Sequence, residues 1–308
     1  MISSVSSTSI TPPVPRVVTV NAASNLRTLV LMGNFMISEE DYLQCKAPSN
    51  TIKVLLSSTF VDTKPERNIS LTDILPELQV IARARGIEIQ LSDMRFGVKD
   101  RSTKHQKTWI ECCREILECF KESEGLSFMS LVGDRYGFIP LPREIPKTVY
   151  ESYYNRFDQT VVEVANRWYQ LDTNTERYIL KDLQSLDDDD FWNNAYPKLI
   201  SAMDGLPFDE DKCPGLLTGR CITEWEILLA LELSSSSSME KFFYLQRVFT
   251  DGLSKFAEDS NPLVESRRSA LISLLEQRSM ASGRHERHEV AWPTAMTIAE
   301  ATRTELRV

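Results

Sequence analysis

Apolar and polar positions alternate between two kinds of pattern along the first half of the chain. Ile52-Lys53-Val54-Leu55-Leu56 is a short apolar run that ends in Ser57-Ser58-Thr59, the pattern of a buried strand feeding a polar loop. From Glu66 to Arg85, Ile69, Leu71, Ile74, Leu75, Leu78 and Ile81 recur at helical spacing, and Gly86 ends that helix. Pro76 falls inside it, so a lost hydrogen bond or a kink is expected there. Ile87 to Leu91 reads as a second strand, followed by the loop Ser92 to Gly97. Gln106 to Lys121 is helical, with Trp109, Ile110, Cys113, Ile116, Leu117 and Phe120 on one side. Leu126 to Val132 is a third buried strand, running into Gly133-Asp134-Arg135-Tyr136-Gly137. Three strand-loop-helix units in succession predict a parallel sheet with helices on both faces.

The remainder is less regular. Residues 144–212 are polar, contain Asp187 to Asp190, and carry Trp168, Tyr169, Tyr178, Phe191, Trp192 and Tyr196. They read as a helical insertion on the sheet rather than a separate domain, with the four aspartates favouring a helix N-terminus. Ile222 to Leu233 is an apolar helix, Ser234 to Ser238 a low-complexity loop, Lys241 to Gln246 a further strand, and Leu263 to Arg278 a closing helix. The expected organisation is a loosely ordered leader over 1–48, an α/β domain over 49–280, and a tail or linker over 281–308.

Composition narrows the class. The 308 residues carry 35 Lys+Arg against 44 Asp+Glu, a net charge of -9, which argues against a general nucleic-acid binder. There is no apolar run of about 18 residues to span a membrane and no apolar stretch behind a basic start to act as a secretory signal. Six cysteines lie scattered at 45, 112, 113, 119, 213 and 221 without a CxxC pair, and read as reduced thiols in a cytoplasmic protein. His105, seven residues before Cys112, shares a possible helix face with it, but structural zinc needs four ligands in close pairs, so no metal is expected.

Open parallel sheets bind ligands beyond the carboxyl ends of their strands. Three loops leave such ends: Ser57-Ser58-Thr59-Phe60, Asp93-Met94-Arg95-Phe96-Gly97 and Gly133-Asp134-Arg135-Tyr136-Gly137. Hydroxyls and backbone amides for phosphate, arginines for charge and aromatic rings for stacking suit a nucleotide-like ligand. The competing reading is that Asp93, Arg95, Asp134 and Arg135 pair with one another and hold the loops. No GxGxxG or GxxxxGK[ST] is present, and a Ser57/His105/Asp93 triad lacks a nucleophile elbow. In Thr223-Glu224-Trp225-Glu226-Ile227 the two glutamates lie about 200° apart around a helix and cannot share a face. Glu226 has two readings, a carboxylate of raised pKa working on a nucleoside bond, or the partner of Thr223 in a capping box.

At these loops the sequence resembles a known family. Val54 to Arg67, with Ser57-Ser58-Thr59-Phe60, Asp62 and Glu66-Arg67, resembles the opening of a TIR-like domain of unknown function. That domain stands at the N-terminus of NACHT and WD-repeat domain-containing proteins and in telomerase-associated protein and nephrocystin relatives. Asp93 to Val98, Leu131 to Pro140, Thr223 to Ile227 and Phe242 to Leu245 are similar to four further blocks of that family, in the same order. Phe96 stands where the family commonly has Trp, and Arg247 lies one place from the expected arginine. The resemblance implies a flavodoxin-like, TIR-related sheet, a NACHT ATPase and WD repeats as usual neighbours, and a signalling or assembly role through protein partners or self-association. It requires no cofactor. By analogy with TIR enzymes and nucleoside deoxyribosyltransferases, Trp225-Glu226-Ile227 makes Glu226 the candidate catalytic residue of an NAD-cleaving alternative. Ser57 to Phe60 and Arg95 would then hold the ribose and phosphates of NAD or another nucleotide. A nucleotide-sensing pocket without chemistry is a third expectation.

Overall fold

The computed structural model describes residues 50–95, 108–123, 125–183, 189–207, 217–237, 241–249, 262–280 and 285–290. Its centre is a five-stranded, wholly parallel sheet: β1 (Thr51–Ser57), β2 (Glu88–Ser92), β3 (Phe128–Val132), β7 (Phe242–Phe249) and β8 (His285–Val290). The spatial order is β2-β1-β3-β7-β8. Chain order reverses between β1 and β3, as in flavodoxin-like sheets, so the fold is the α/β class that the alternating pattern predicts.

Period-two alternation sorts the side chains onto two faces. Leu55, Phe128, Phe242 and Tyr244 point to one, where α3 (Thr108–Glu122), α7 (Ile222–Ser237) and α8 (Pro262–Met280) pack. Their Trp109, Ile116, Phe120, Trp225, Leu229, Leu271 and Leu275 complete this main core. Leu56, Leu131 and Leu245 face the other way, with Leu91, Met129 and Phe243 half-buried beside them. The helical run between β1 and β2 buries Ile69, Ile74 and Ala82.

That run is interrupted as Pro76 requires. α1 (Lys64–Ile69) passes through a π turn (Ser70–Ile74) into α2 (Leu75–Arg83). The Leu75 amide reaches back to the Ser70 carbonyl, and Pro76, which has no N–H to donate, falls in the first turn of α2, where none is needed. The same device recurs where a π turn (Phe191–Ala195) precedes Pro197 in α6 (Tyr196–Ala202).

The insertion differs from expectation in composition. Beside α4 (Lys147–Tyr154), α5 (Gln159–Trp168) and α6 it contains a three-stranded antiparallel sheet in the order β4-β6-β5: β4 (Glu144–Pro146), β5 (Tyr169–Asp172) and β6 (Arg177–Leu180). These strands are three or four residues long, too short for a period-two signal to rise above the aromatic content. They enclose a second core of Leu141, Ile145, Tyr150, Trp168, Tyr169, Phe191 and Leu199.

Two further expectations change. The serine run does not end the helix before it, because α7 continues through Ser237, its Ser234 hydroxyl bonded to the Ala230 carbonyl at 2.7 Å. His285–Val290, within the segment that reads as a tail, is the fifth strand. A polar His-Glu-Arg-His-Glu edge strand shows neither the apolar run nor the alternation by which strands are recognised. The leader, Phe96, Gly97, His105, Cys45, Cys213 and Asp187-Asp188 lie outside the described residues.

Candidate functional site

The carboxyl ends of β1, β2, β3 and β7 meet at one edge of the sheet, and two arginines organise them, Arg67 and Arg247, which the sequence shows as positions of the family blocks but to which it gives no role. Arg67, on the first turns of α1, is 1% exposed. Its Nε donates to Ser58 Oγ at 2.6 Å, one Nη to the Ser58 carbonyl at 2.8 Å, and the other to Asp93 Oδ1 at 2.5 Å. The loops after β1 and β2 are thereby tied through one guanidinium. Asp93 also accepts from Arg95 Nε at 2.8 Å, while Arg95 reaches Asn68 at 2.9 Å. Burial pulls the Arg67 pKa down, and Asp93 and Glu226 oppose that pull.

Arg247, at the end of β7, is the second. One Nη donates to the Asp62 carbonyl at 2.6 Å and Glu66 Oε1 at 2.5 Å, the other to Asp134 Oδ2 at 3.1 Å. Asp62 is fully buried and accepts from the Asp134 and Arg135 amides at 3.0 and 3.2 Å and from the Thr59 hydroxyl. Burial raises the Glu66 pKa, and Arg247 works against it. Burial disfavours the Arg247 charge as well, but Glu66, Asp62 and Asp134 outweigh that and leave its pKa raised. Gly133 is required by this clamp, since a Cβ there would lie 2.5 Å from Asp62 Oδ2 and 2.7 Å from Arg247 Nη2. Gly137 combines a φ of +105° with a Cβ position 2.9 Å from Thr59 Cγ2.

Glu226 lies between the two clamps and does not close a capping box. α7 starts at Ile222, so Glu226 is already in its second turn and out of reach of the helix-start amide. The Cys221 sulfur serves that end instead, accepting from the Glu224 amide at 3.3 Å. Glu226 accepts the Ser57 hydroxyl at 2.5 Å and the Cys112 thiol, and is 5% exposed. Burial pushes its pKa up, against those two hydrogen bonds and the Arg67 charge. Glu224 faces elsewhere, accepting from the Tyr136 hydroxyl and pairing with Arg220, so the two glutamates do part company around the helix.

The predicted loops therefore converge, but their polar groups bind one another. Ser57 serves Glu226, Ser58 serves Arg67 and Thr63, and Thr59 serves Asp62. Asp93 serves Arg67 and Arg95, and Asp134 serves Arg247. The loop-holding reading of the charges is right in kind, with the partner arginines coming from α1 and β7. Phe60 is exposed, with the Arg67 guanidinium 4.9 Å from its ring centre. Tyr136 is buried, and the void bounded by Thr59, Arg135, Tyr136 and Thr223 is about 10 Å³. A signal for both arginines was present: Glu66-Arg67 two turns from a strand end, and a lone arginine inside the apolar run Phe242–Phe249.

Among the described residues no three His, Cys, Asp or Glu side chains gather as a metal site, and no helix is long and apolar enough to cross a membrane.

The class these features define is a flavodoxin-like parallel α/β fold whose strand-end loops are clamped by buried arginine–carboxylate pairs. Over part of its length the chain is similar to proteins that carry NACHT and WD-repeat regions. It is 30% identical over 125 residues, 39% of the chain, to mouse NACHT domain- and WD repeat-containing protein 1. It is 28% identical over 131 residues, 41% of the chain, to human NACHT and WD repeat domain-containing protein 2. With mouse telomerase protein component 1 it shares 30% identity over 95 residues, 31% of the chain. These matches take in 8%, 7% and 3% of the respective relatives, so the chain spans less than a tenth of their length. No family model and no solved structure matches the chain.

Proposed function

We propose that this α/β unit is a TIR-like signalling and assembly module of a NACHT and WD-repeat type protein, acting in the cytoplasm through contacts with other proteins or with further copies of itself. The observation that carries this reading is the internal saturation of the strand-end loops. Arg67, Arg247, Asp62, Asp93 and Glu226 are bound to one another's loops, and the void at the middle of the edge, beside Tyr136, is about 10 Å³, while cavities of about 400 and 250 Å³ lie on either side, by Asp93 and by Asp134. A clamp of this kind makes the loop edge rigid, and rigidity is what a surface for protein contact needs. The test is sedimentation velocity of the purified chain across a hundredfold concentration range, run beside an assay of nicotinamide release from NAD. Concentration-dependent association without nicotinamide release supports the assembly module. A strict monomer that releases nicotinamide sinks it.

The alternative is an NAD-cleaving hydrolase with Glu226 as its catalytic carboxylate. It is favoured by one feature, the placing of a carboxyl of raised pKa against Ser57 at the end of β1. It requires the Glu226 carboxyl to become accessible to a ribose, and it expects Glu226→Ala to abolish release while Glu224→Ala retains most of it. Equal loss in both variants counts against it. A nucleotide-sensing pocket without chemistry would instead show NAD raising the melting temperature with no product.

A further inference from the structure

The strand-end edge has a second region, bordered by the Arg247–Asp134 clamp and away from Glu226. A cavity of about 250 Å³ lies where the ends of β7 and β8 meet α8, lined by Asp134, Gln246, Arg247, Arg268, Ile272 and Arg287 among others. Three guanidiniums and one carboxylate line it, Arg247 paired with Glu66, Asp62 and Asp134, Arg268 with Glu265 and Arg287 with Glu289. Gln246 and Arg287 are direct register partners across β7 and β8, so the two side chains are placed side by side by the strand pairing itself.

Two polar atoms here lack hydrogen-bond partners among the described residues. Gln246 Oε1 and Arg247 Nε each carry less than 1 Å² of exposed surface, on side chains more than nine-tenths buried. Buried polar atoms without partners are rare and costly, and each calls for a reason. The other two arginines are held by carboxylates at the surface, Arg268 through both Glu265 oxygens and Arg287 through one oxygen of Glu289. Arg268 binds Glu265 at 2.8 Å and the Gly133 carbonyl at 3.3 Å; Arg287 binds Glu289 at 3.0 Å. Glu289 is 55% exposed and Arg287 48%, and a single-pronged ion pair between such exposed groups contributes little, so Arg287 exchanges its partner readily.

We propose that this cavity binds a small phosphate-bearing anion, inorganic phosphate or the phosphate group of a compact monoester. Arg268 and Arg287 supply forked donors that fit phosphate oxygens, Arg247 Nε supplies a third donor, and Gln246 Oε1 accepts from a P–OH or a neighbouring hydroxyl. The volume suits a group of that size and is small for a dinucleotide. This site shares only Asp134 with the residues of the NAD reading and stands whether or not that reading does.

The test is calorimetric titration of the full chain with inorganic phosphate at constant ionic strength in chloride, with acetate as the comparison anion. Saturable phosphate binding is expected, with acetate at least tenfold weaker. Arg287→Gln and Arg268→Gln should each weaken phosphate about tenfold, the loss expected for one charge-assisted hydrogen bond. Arg278→Gln removes the same charge from an exposed position of the same helix and should leave binding unchanged. Arg287 is half-exposed on an edge strand, so its variant keeps the test sound if Arg268→Gln fails to fold. Absence of binding, equal binding of acetate, or equal effects of Arg287→Gln and Arg278→Gln would overturn the assignment.

Discussion

Arg67 shows how much of this fold's upper edge rests on single side chains. It is buried, and its guanidinium satisfies a hydroxyl, a carbonyl and a carboxylate from two different loops. Truncating one member of a buried pair strands the other charge, at a cost of about 3–5 kcal/mol. Arg67→Ala is therefore expected to lower the unfolding free energy by about that much, measured by urea denaturation with an unchanged m-value. Glu226 provides a pH-dependent counterpart. Its folded pKa is raised above the ordinary value of 4.5, so the folded state binds that proton more tightly than the unfolded chain does. The stability this contributes is fully present below about pH 4.5 and is lost as pH rises through the folded pKa. Relative to Glu226→Gln, the wild-type protein should thus lose stability from pH 4.5 upward, by comparison of denaturation midpoints between pH 4.5 and 8. Glu66 titrates in the same sense in both proteins and cancels. Parallel curves for the two proteins would show that burial does not perturb Glu226.

At the scale of elements, the central strands and their helices were legible because burial on both faces writes a continuous apolar run, and packing on one face writes a 3.6-residue period. β1, β3, β7 and α3 follow those two rules, and β2, at the opposite edge from β8, is marked by the alternation of Ile87, Ile89 and Leu91 with polar residues. β8 follows neither, because an edge strand needs only backbone pairing on one side, and backbone pairing leaves no mark on side-chain pattern. The short strands of the insertion escaped for another reason, their length of three or four residues, over which no alternation can be read. If β8 is integral, ending the chain after Met280 removes six register pairs from β7 and uncovers its edge, including the stacked Tyr244–His285 contact at 4.7 Å. The shortened protein is expected to melt on the order of 5–10 °C lower, at roughly 2–4 °C per kcal/mol for a domain of this size, and to aggregate sooner. An unchanged melting temperature would make β8 dispensable.

For the whole molecule the notable feature is that two cores share a seam. Phe138 packs against the main core and also meets Trp192 and Tyr196 of the insertion, at ring separations of 6.0 and 5.9 Å. The Tyr196 hydroxyl donates to the Ile139 carbonyl at 2.7 Å, and Ile200 touches both clusters. Phe138→Ala should uncouple them, so that differential scanning calorimetry shows two transitions where the wild-type protein shows one. A single, merely lowered transition would mean that the seam contributes stability but not cooperativity.

The amino-acid sequence by itself determined the class of fold, since the alternation of apolar runs and helical periods admits few arrangements other than a parallel sheet between helices. It also brought the right loops forward, because strand ends in such a sheet must lie along one edge. Only the tertiary structure decided what those loops contain. Whether Asp93 faces a ligand or Arg67, and whether Glu226 turns to its own helix start or to Ser57, depends on side chains 26 and 169 positions distant in the chain. No local pattern encodes such a pairing. It arises when folding withdraws these charges from water, and each must then find a partner of opposite sign or a hydrogen bond within reach.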